Sequence, residues 1–503
     1  MTRRWRTPLA GVLSGLLFAV AFPPVEWVVL LPLALVPWLI ALVGEESPAR
    51  ALWSGVLFGL AYWCTSISWI FYVVTHYGGQ SAVMGVVCLV ILALILAEWS
   101  AIAAWTAAAV APAGSGWRMA AFPLIWVATE HVRTIVYKGF PWNLTAHALY
   151  RHPVWLQSAS VWGVFGVSGL AITLSGLLAW GLARGRMRAL AAAALLVLAA
   201  GGWGTVRLAA RRPARSELAV ALLQPNLTEE SRATPEGAVA SYRALLAQAT
   251  EAAEELPALI VIPESALPAY WQRSETLRQD LATLAHDGPR ILFNDVEEEA
   301  DGRYYNAARL LGPQGLSEPS YRKVHLVPFG EYVPLPRIFF FVRQISTEIG
   351  AFTPAPRPTL LRSGTLAIGP AICYEAIYPS LAREETADGA NLLATVSNDS
   401  WYGRGGAQQQ HFAGAVLRSV ENERYLVRSA ITGISGIVDE RGRIVAESRP
   451  DERGLVRGTV RLEEGLTPWT RWGYRLPLAV DLAAAAVLLF GLVRLRRQRK
   501  AGS

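Results

Sequence analysis

Long apolar stretches occupy the two ends of the chain, and a mixed pattern occupies the middle. A helix that crosses a bilayer needs roughly 20 apolar residues. Seven runs of about that size precede residue 208, and one more lies near the C-terminus. These runs are 8–22, 26–43, 51–75, 81–111, 119–136, 154–184, 188–207 and 474–493. The pattern predicts a membrane domain over 1–207, an inserted domain over 208–473, and a closing span with a basic tail over 474–503.

The basic residues of the short loops predict how these spans are oriented. Arginines precede the first predicted span, lie in every second loop after it, and follow the last span. Because Lys and Arg are enriched in cytoplasmic loops, we expect both termini in the cytoplasm. Seven spans then place residues 208–473 on the outer side of the membrane. The alternative for the N-terminus is a signal peptide cleaved near Ala19–Ala21.

Short β-branched runs alternate with amphipathic stretches between residues 208 and 473. The predicted strands are 218–223, 259–262, 290–293, 366–372, 392–396 and 425–431, and the predicted helices are 238–255, 275–286 and 407–422. Residues 434–438 and 444–446 flank a polar turn and predict a hairpin. This alternation predicts an α/β domain built around a sheet.

Composition and charge narrow the functional classes. The chain has 503 residues, of which 53% are hydrophobic and 17% are charged, so it is neither disordered nor typical of a soluble protein. The net charge of +7 is concentrated beside the predicted spans, which favours an inner-leaflet anchor over a nucleic-acid partner. Three cysteines and seven scattered histidines indicate neither a disulfide framework nor a metal site. We therefore expect no metal and no other cofactor.

Three segments of the α/β domain carry residues with chemical potential. Glu264 follows an apolar strand, where a desolvated carboxylate can act as a base, although a strand-end cap is the alternative. Lys323 lies in an unusual string, 321–334, that is rich in aromatic residues, proline and glycine. If it is buried, its positive charge can stabilise an oxyanion, and the alternative is a solvated lysine. Cys373 ends strand 366–372 and is the only cysteine outside the predicted spans. It is either a nucleophile or a small core residue.

Taken in order, these motifs resemble those of the nitrilase superfamily. The matching strings are Pro263-Glu264-Ser265, Tyr321-Arg322-Lys323, Leu326 to Tyr332, Ile372-Cys373-Tyr374-Glu375 and Thr395 to Gly403. That superfamily has an αββα sandwich and a catalytic set of Glu, Lys and Cys. With seven predicted spans before this domain and one after it, the whole chain resembles the membrane-bound apolipoprotein N-acyltransferase family.

The resemblance implies a role for each matching residue. Cys373 would take an acyl chain from a phospholipid as a thioester, with Glu264 as general base. Lys323 and the backbone N–H of Tyr374 would hold the oxyanion. The acyl chain would then pass, in a ping-pong reaction, to the α-amino group of the diacylglyceryl-cysteine of an apolipoprotein. The residues expected to bind substrate or support the site are Glu331, Tyr374, Glu375 and Trp401.

The resemblance also implies a setting for this reaction. We expect a multi-pass protein of the bacterial inner membrane, with the catalytic domain in the periplasm. Its partners would be a phospholipid, an apolipoprotein and the membrane, without nucleic acid, and the enzyme would be a monomer.

Several alternatives stay open from the sequence. Ile338–Val342 is either a lid that dips into the membrane or a packed loop. Glu130, His131 and Arg133, in or near a predicted span, either form an internal ion pair or contact a lipid headgroup. The runner-up function is a membrane-tethered amidase or nitrilase in which water replaces the amine acceptor. The third hypothesis is a scaffold or transporter without catalysis.

Overall fold

The computed structural model describes residues 5–210, 216–286, 288–333 and 352–501, except for the side chains of Tyr137, Arg499 and Ala501. The chain divides into two compact units. Unit 1 consists of Met1–Ala210, Arg404–Gln410 and Trp472–Ser503. Unit 2 consists of Arg211–Gly403 and His411–Arg471. The predicted lid at 338–342 lies outside the described residues.

The helices are numbered here along the chain. They are α1 (Arg6–Ala19), α2 (Leu31–Ala34), α3 (Val36–Gly44), α4 (Pro48–Ser66), α5 (Trp69–Tyr72), α6 (Ala82–Val110), α7 (Trp117–Arg133), α8 (Pro153–Leu156), α9 (Ala159–Arg184), α10 (Met187–Ala209), α11 (Glu229–Arg232), α12 (Pro235–Ala253), α13 (Glu275–Ala285), α14 (Pro379–Ala387), α15 (Ala407–Asn422), α16 (Pro468–Trp472) and α17 (Arg475–Ala501).

Unit 1 is helical and strongly apolar. Within the described ranges, α6, α9, α10 and α17 are long and apolar enough to cross a membrane. The segments Pro48–Ser66 and Trp69–Tyr77 meet the same test together, with a bend of 57° between them. The apolar helices Arg6–Ala19 and Val28–Gly44 are shorter. The helical membrane domain is thus confirmed, while the count of eight spans stays a prediction.

Small residues allow helices of unit 1 to approach closely. A Cβ added to Gly55 of α4 would lie 2.5 Å from the Cα of Ala101 in α6, and one added to Gly59 would lie 2.5 Å from the Cα of Ala97. Glycine is required at both positions because a side chain would collide with the facing backbone. Packing through small residues is typical of helices that associate in lipid.

The strands of unit 2 are also numbered along the chain. They are β1 (Glu217–Gln224), β2 (Leu259–Val261), β3 (Arg290–Glu298), β4 (Tyr304–Gly312), β5 (Gly315–Leu316), β6 (Tyr321–Arg322), β7 (Leu361–Ser363), β8 (Leu366–Ile372), β9 (Leu392–Ser397), β10 (Leu426–Ala430), β11 (Gly436–Val438), β12 (Ile444–Glu447) and β13 (Gly454–Arg461).

These strands form two sheets. The first has the order β13-β1-β2-β3-β4-β5, with β6 also paired to β4, and the second has the order β12-β11-β10-β9-β8-β7. The central strands β1, β2 and β3 of the first sheet are parallel, as are β8, β9 and β10 of the second. In both sheets antiparallel strands flank this parallel centre.

The alternation of side chains explains why the two sheets pack in a sandwich. Leu218, Val220 and Leu222 of β1 share one apolar core with residues of the second sheet, whereas Ala221 and Leu223 share another with α12 and α13. Successive side chains of a strand point to opposite faces, so β1 serves both cores. On the second sheet, Glu385 of α14 lies against Gly369 of β8, and Phe412 of α15 lies against Gly436 of β11. The predicted αββα sandwich is confirmed.

The predicted strands and helices of unit 2 correspond to observed elements, and the hairpin of β11 and β12 is present. The long strands β4 and β13 and the short strands β5, β6 and β7 were not predicted. Strand β4 carries Asn306 and Arg309 among its apolar residues, and this polarity hides the strand pattern. Both side chains are buried because each has polar partners; the Nε of Arg309 donates to Asp295 at 2.7 Å.

Candidate active site

The strand ends of the two sheets bring the chemical groups together. Cys373 follows β8, Asn398 follows the neighbouring parallel strand β9, and Glu264 follows β2. The thiol of Cys373 donates to the backbone carbonyl of Asn398, with 3.8 Å between Sγ and oxygen. Cys373 has a φ of 53°, in the left-handed region that a side chain disfavours. Such a conformation costs about 1–3 kcal/mol and persists only where surrounding contacts enforce it.

Glu264 is buried and held by two donors. The Nδ2 of Asn306 donates to its Oε1 at 3.0 Å, and the backbone N–H of Asn398 donates to its Oε2 at 2.9 Å. The candidate base and the candidate thiol are therefore each one hydrogen bond from the same residue, Asn398. This shared neighbour fixes the carboxylate in relation to the thiol.

Lys323 is 1% exposed and lies between two carboxylates. Its Nζ is 2.8 Å from Oε1 of Glu331 and 3.8 Å from Oε1 of Glu264. Glu331 also accepts from Asn306 and, through Oε2, from the backbone N–H of Val327. Glu331 thus binds the ammonium group more closely, while Glu264 keeps a looser contact with it.

Glu375 joins the candidate nucleophile turn to the lysine segment. Its Oε1 accepts from the backbone N–H groups of Val324 and His325, at 2.7 and 2.9 Å. Its Oε2 accepts from the hydroxyl of Tyr321 at 2.7 Å and from the backbone N–H of Ile372 at 2.9 Å. Burial raises the pKa of Glu375 to about 7, an effect that the nearby lysine and these donors oppose. The side chain acts as a brace between two segments.

The electrostatics of the cluster favour a neutral thiol beside a basic carboxylate. Burial and the negative charge of Glu264 raise the pKa of Cys373 far above the ordinary value of a thiol, and Lys323 opposes this rise. Burial and Glu331 raise the pKa of Glu264 above that of an ordinary glutamate, again against Lys323. Burial alone would lower the pKa of Lys323, but Glu331 and Glu264 outweigh it and keep the pKa above its ordinary value. The charged groups hold a fixed cation and a proton acceptor near the thiol.

The other predicted site residues lie close by in the fold. Tyr374 follows Cys373 in the same 3-10 turn, and its ring meets Tyr378 edge to face with 5.3 Å between centroids. The ring of His325 also stacks on Tyr378, with 4.0 Å between the ring centroids. Trp401, in a 3-10 turn after β9, is 39% exposed. Its exposed ring distinguishes it from the buried polar cluster.

Several polar residues that build the site received no predicted role, although Asn398 and Asp399 lie in the matching string Thr395 to Gly403. Asn306 and Asn398 hold Glu264, as described above. A second buried group consists of Asp399, His411 and Arg428; the Nε2 of His411 is 2.9 Å from the carbonyl oxygen of Cys373. Asn398 and Asp399 could have been found, because they end a predicted strand parallel to that of Cys373. His411 lies on a helix, where the sequence offers no comparable signal.

The ionisable residues predicted in the membrane domain have separate partners. Oε1 of Glu130 accepts from Thr145 and Trp126, and Nδ1 of His131 is 2.6 Å from Oδ2 of Asp481. The Nη1 of Arg133 donates to the carbonyls of Phe140 and Trp142, at 3.0 and 2.7 Å. Of the two alternatives, internal contacts and a lipid headgroup, the internal one fits these partners, and the carboxylate beside His131 is that of Asp481. In the parts of the chain that the structure describes, no cluster of three or more His, Cys, Asp or Glu could hold a metal ion.

The αββα sandwich, with Glu264, Lys323 and Cys373 buried together at its strand ends, has the features of a carbon–nitrogen hydrolase domain. Residues 219–466 match the carbon-nitrogen hydrolase family, and residues 14–177 match the apolipoprotein N-acyltransferase N-terminal domain. Apolipoprotein N-acyltransferase of Geobacter metallireducens is 34% identical over 96% of this chain and 94% of its own. That of Methylococcus capsulatus is 34% identical over 98% and 97%. The chain belongs to the apolipoprotein N-acyltransferase family.

This membership makes the protein an N-acyltransferase and a bacterial membrane protein. Among solved structures, Saccharomyces cerevisiae Nit3, a member of branch 10 of the nitrilase superfamily, is similar over 50% of this chain and 93% of its own. The sequence identity is 20% and the TM-score is 0.39.

Proposed function

We propose that this enzyme transfers an acyl chain from a phospholipid, through a thioester on Cys373, to the α-amino group of the diacylglyceryl-cysteine of an apolipoprotein. The observation that carries the proposal is the buried cluster of Glu264, Lys323 and Cys373 in a chain whose apolar helices place it in a membrane. Lipid substrates fit such a chain, because they meet a membrane-held site by diffusing in the bilayer.

The first half-reaction forms the thioester. Glu264 takes the thiol proton, and the sulfur of Cys373 attacks the ester carbonyl of the phospholipid. The oxyanion that forms is held by the ammonium group of Lys323 and the backbone N–H of Tyr374. When the tetrahedral intermediate collapses, the lysophospholipid oxygen leaves and receives the proton from Glu264.

The second half-reaction transfers the acyl chain to nitrogen. The neutral amine of the acceptor attacks the thioester carbonyl, and Glu264 accepts the amine proton. The carbon–sulfur bond breaks, the amide forms, and the proton returns to the sulfur of Cys373. Because the first product leaves before the acceptor reacts, the kinetics are ping-pong. The burial of all three groups limits access of water to the thioester.

Two of the supporting residues, both glutamates, act on these groups rather than on the substrate carbonyl. Glu331 orients Lys323, and Glu375 braces the lysine segment against the nucleophile turn. Tyr374 supplies its backbone N–H, and the exposed ring of Trp401 borders the path of a substrate chain. By the distribution of basic residues, the catalytic domain faces the periplasm and both termini face the cytoplasm. The enzyme works as a monomer in the inner membrane.

Intact mass spectrometry after incubation with phospholipid vesicles tests the proposal. The Cys64→Ala/Cys88→Ala double variant, which keeps only Cys373, should gain one fatty-acyl mass. The matched Cys373→Ala variant, which keeps the other two cysteines, should gain none. A diacylglyceryl-cysteine peptide should discharge the acyl mass, whereas the same peptide with an acetylated amine should not.

Two outcomes would contradict the proposal. An acyl mass that persists in Cys373→Ala would show that Cys373 is not the nucleophile. A folded protein that stays unacylated but hydrolyses a small amide through Cys373 would instead be a membrane-tethered amidase.

A further inference from the structure

We propose that His411, fixed by Arg428 and Asp399, is a positioning residue that sets the direction of the oxyanion-binding N–H of Tyr374. This inference rests on the role of that N–H in the proposed function. It assigns a task to a buried polar group that the acyl-transfer steps leave unused.

The peptide group between Cys373 and Tyr374 links the carbonyl to the oxyanion-binding N–H. Its carbonyl oxygen belongs to Cys373 and its N–H belongs to Tyr374. A peptide group is planar, and in the trans form its C=O and N–H point in opposite directions. Any contact that fixes the carbonyl therefore also fixes where the N–H points.

His411 makes that contact. Its Nε2 lies 2.9 Å from the carbonyl oxygen of Cys373, and its side chain is fully buried on α15. A carbonyl oxygen only accepts hydrogen bonds, so Nε2 carries the proton. The peptide needs such an anchor because Cys373 has its positive φ of 53° at this point.

Arg428 and Asp399 determine the protonation of the other ring nitrogen. The Nη2 of Arg428 is 3.1 Å from Nδ1 of His411 and 2.7 Å from Oδ2 of Asp399. Nδ1 also lies 3.0 Å from Oδ1 of Asp399, which only accepts; because Nε2 already carries a proton, a neutral ring leaves Nδ1 to accept from Arg428, since a guanidinium group only donates. Burial and Arg428 also lower the pKa of His411, which agrees with a neutral ring. Asp399, held in turn by Ser397 Oγ at 2.7 Å, balances the charge of Arg428.

These contacts also argue against a different role for His411. Both of its ring nitrogens already have partners, Cys373 O on one side and Arg428 and Asp399 on the other. The ring is therefore not placed to take the thiol proton, which leaves Glu264 as the base. His411 acts through the peptide group alone.

The test compares two reactions of Cys373 in His411→Asn and His411→Gln. Acylation by a p-nitrophenyl ester creates an oxyanion, whereas alkylation by iodoacetamide replaces iodide at a saturated carbon and creates none. The amide of Gln reaches about as far as Nε2 and keeps a donor for the Cys373 carbonyl. The shorter Asn does not.

We expect His411→Asn to slow acylation by about 30-fold, less than the 100-fold or more that follows loss of an oxyanion donor. Its alkylation rate should stay within about threefold of the wild type, and His411→Gln should recover most of the acylation rate. Parallel losses of both reactions, or equal losses in Asn and Gln variants, would overturn the proposal.

The ester probe separates this inference from the lipid chemistry. If the wild type reacts with the ester but not with phospholipid, phospholipid is not the acyl donor. The His411 variants then still test the positioning role with the ester. A wild type that reacts with neither would overturn both.

A measurement on the wild type keeps the proposal testable if the variants do not fold. In ¹⁵N NMR spectra of the histidine-labelled protein in detergent, one buried ring should remain the Nε2–H tautomer from about pH 6 to 9. A ring that carries its proton on Nδ1 would exclude the hydrogen bond to Cys373, and with it the proposal.

Discussion

Each unit buries a cation, Arg118 in unit 1 and Lys323 in unit 2, and the two cations have different kinds of partner. In unit 1, Arg118 is 2% exposed and donates to the backbone carbonyls of Leu42, Glu45, Ala108 and Ala111. In unit 2, the 1% exposed Lys323 meets two carboxylates, and one of these faces a thiol.

The difference shows what separates a structural charge from a reactive one. Backbone carbonyls cannot change protonation, so the hydrogen-bond acceptors of Arg118 are the same at every pH. The partners of Lys323 can gain or lose protons, and their burial moves each pKa. The buried charge of Lys323 therefore belongs to a cluster that can exchange protons, whereas that of Arg118 anchors helices.

The largest effect on chemistry is expected from Glu264→Gln. The amide cannot accept the thiol proton, so acylation of Cys373 should fall about 1000-fold, within the range for loss of a general base. The melting temperature should also fall, because glutamine keeps one acceptor oxygen where Glu264 uses both, and Lys323 loses one of its two carboxylate partners. Stopped-flow acylation with the nitrophenyl ester and calorimetry would measure the two effects. A rate within tenfold of the wild type would exclude Glu264 as the base.

Glu375→Gln should have a smaller effect on acylation, about tenfold. Glutamine retains one acceptor oxygen, whereas Glu375 uses both oxygens to accept bonds from donors in two segments. The brace between the lysine segment and the nucleophile turn should loosen and the melting temperature should fall. Unchanged stability and rate would show that the two segments are held by other contacts.

The pH profile of Cys373 alkylation tests whether the thiol in unit 2 is coupled to its titratable neighbour Glu264. Iodoacetamide should react with Cys373 at a rate that depends on ionised Glu264. Because burial raises the pKa of that carboxyl, the rate should be highest above it and fall about tenfold per pH unit below it. The fall should begin above the ordinary glutamate pKa of about 4.3 and be absent in Glu264→Gln. A single inflection near the ordinary thiol pKa of about 8.5 would contradict this coupling.

Arg118→Met should change the chemistry least. Its loss leaves buried carbonyls without a donor, which costs about 1–3 kcal/mol for each unsatisfied group. The melting temperature in detergent should fall, while the acylation rate of the folded fraction should stay within about twofold of the wild type. A selective loss of acylation would show that unit 1 also contributes to the reaction.

Strands β2 and β8 were predictable because their residues are apolar without interruption. Strand β8 was predicted at its observed limits, and Cys373 at its end was a candidate for that reason. Strand β4 was missed because Asn306 and Arg309 break the apolar run, and their burial depends on Glu264, in the loop after β2, and on Asp295 of β3. No local sequence pattern indicates a hydrogen-bond partner that lies in a distant segment of the chain.

The sequence by itself determined the apolar ends, the α/β middle, and the identity of the candidate base, lysine and cysteine. The first two features depend on local hydrophobic patterns, and the candidate residues stand in short strings that can be recognised without a structure. Only the tertiary structure decided that Asn398 contacts both Glu264 and Cys373, and that His411 holds the Cys373 carbonyl. These contacts join residues up to 134 positions apart, so their energies depend on how the sheets and helices pack rather than on any neighbouring residue.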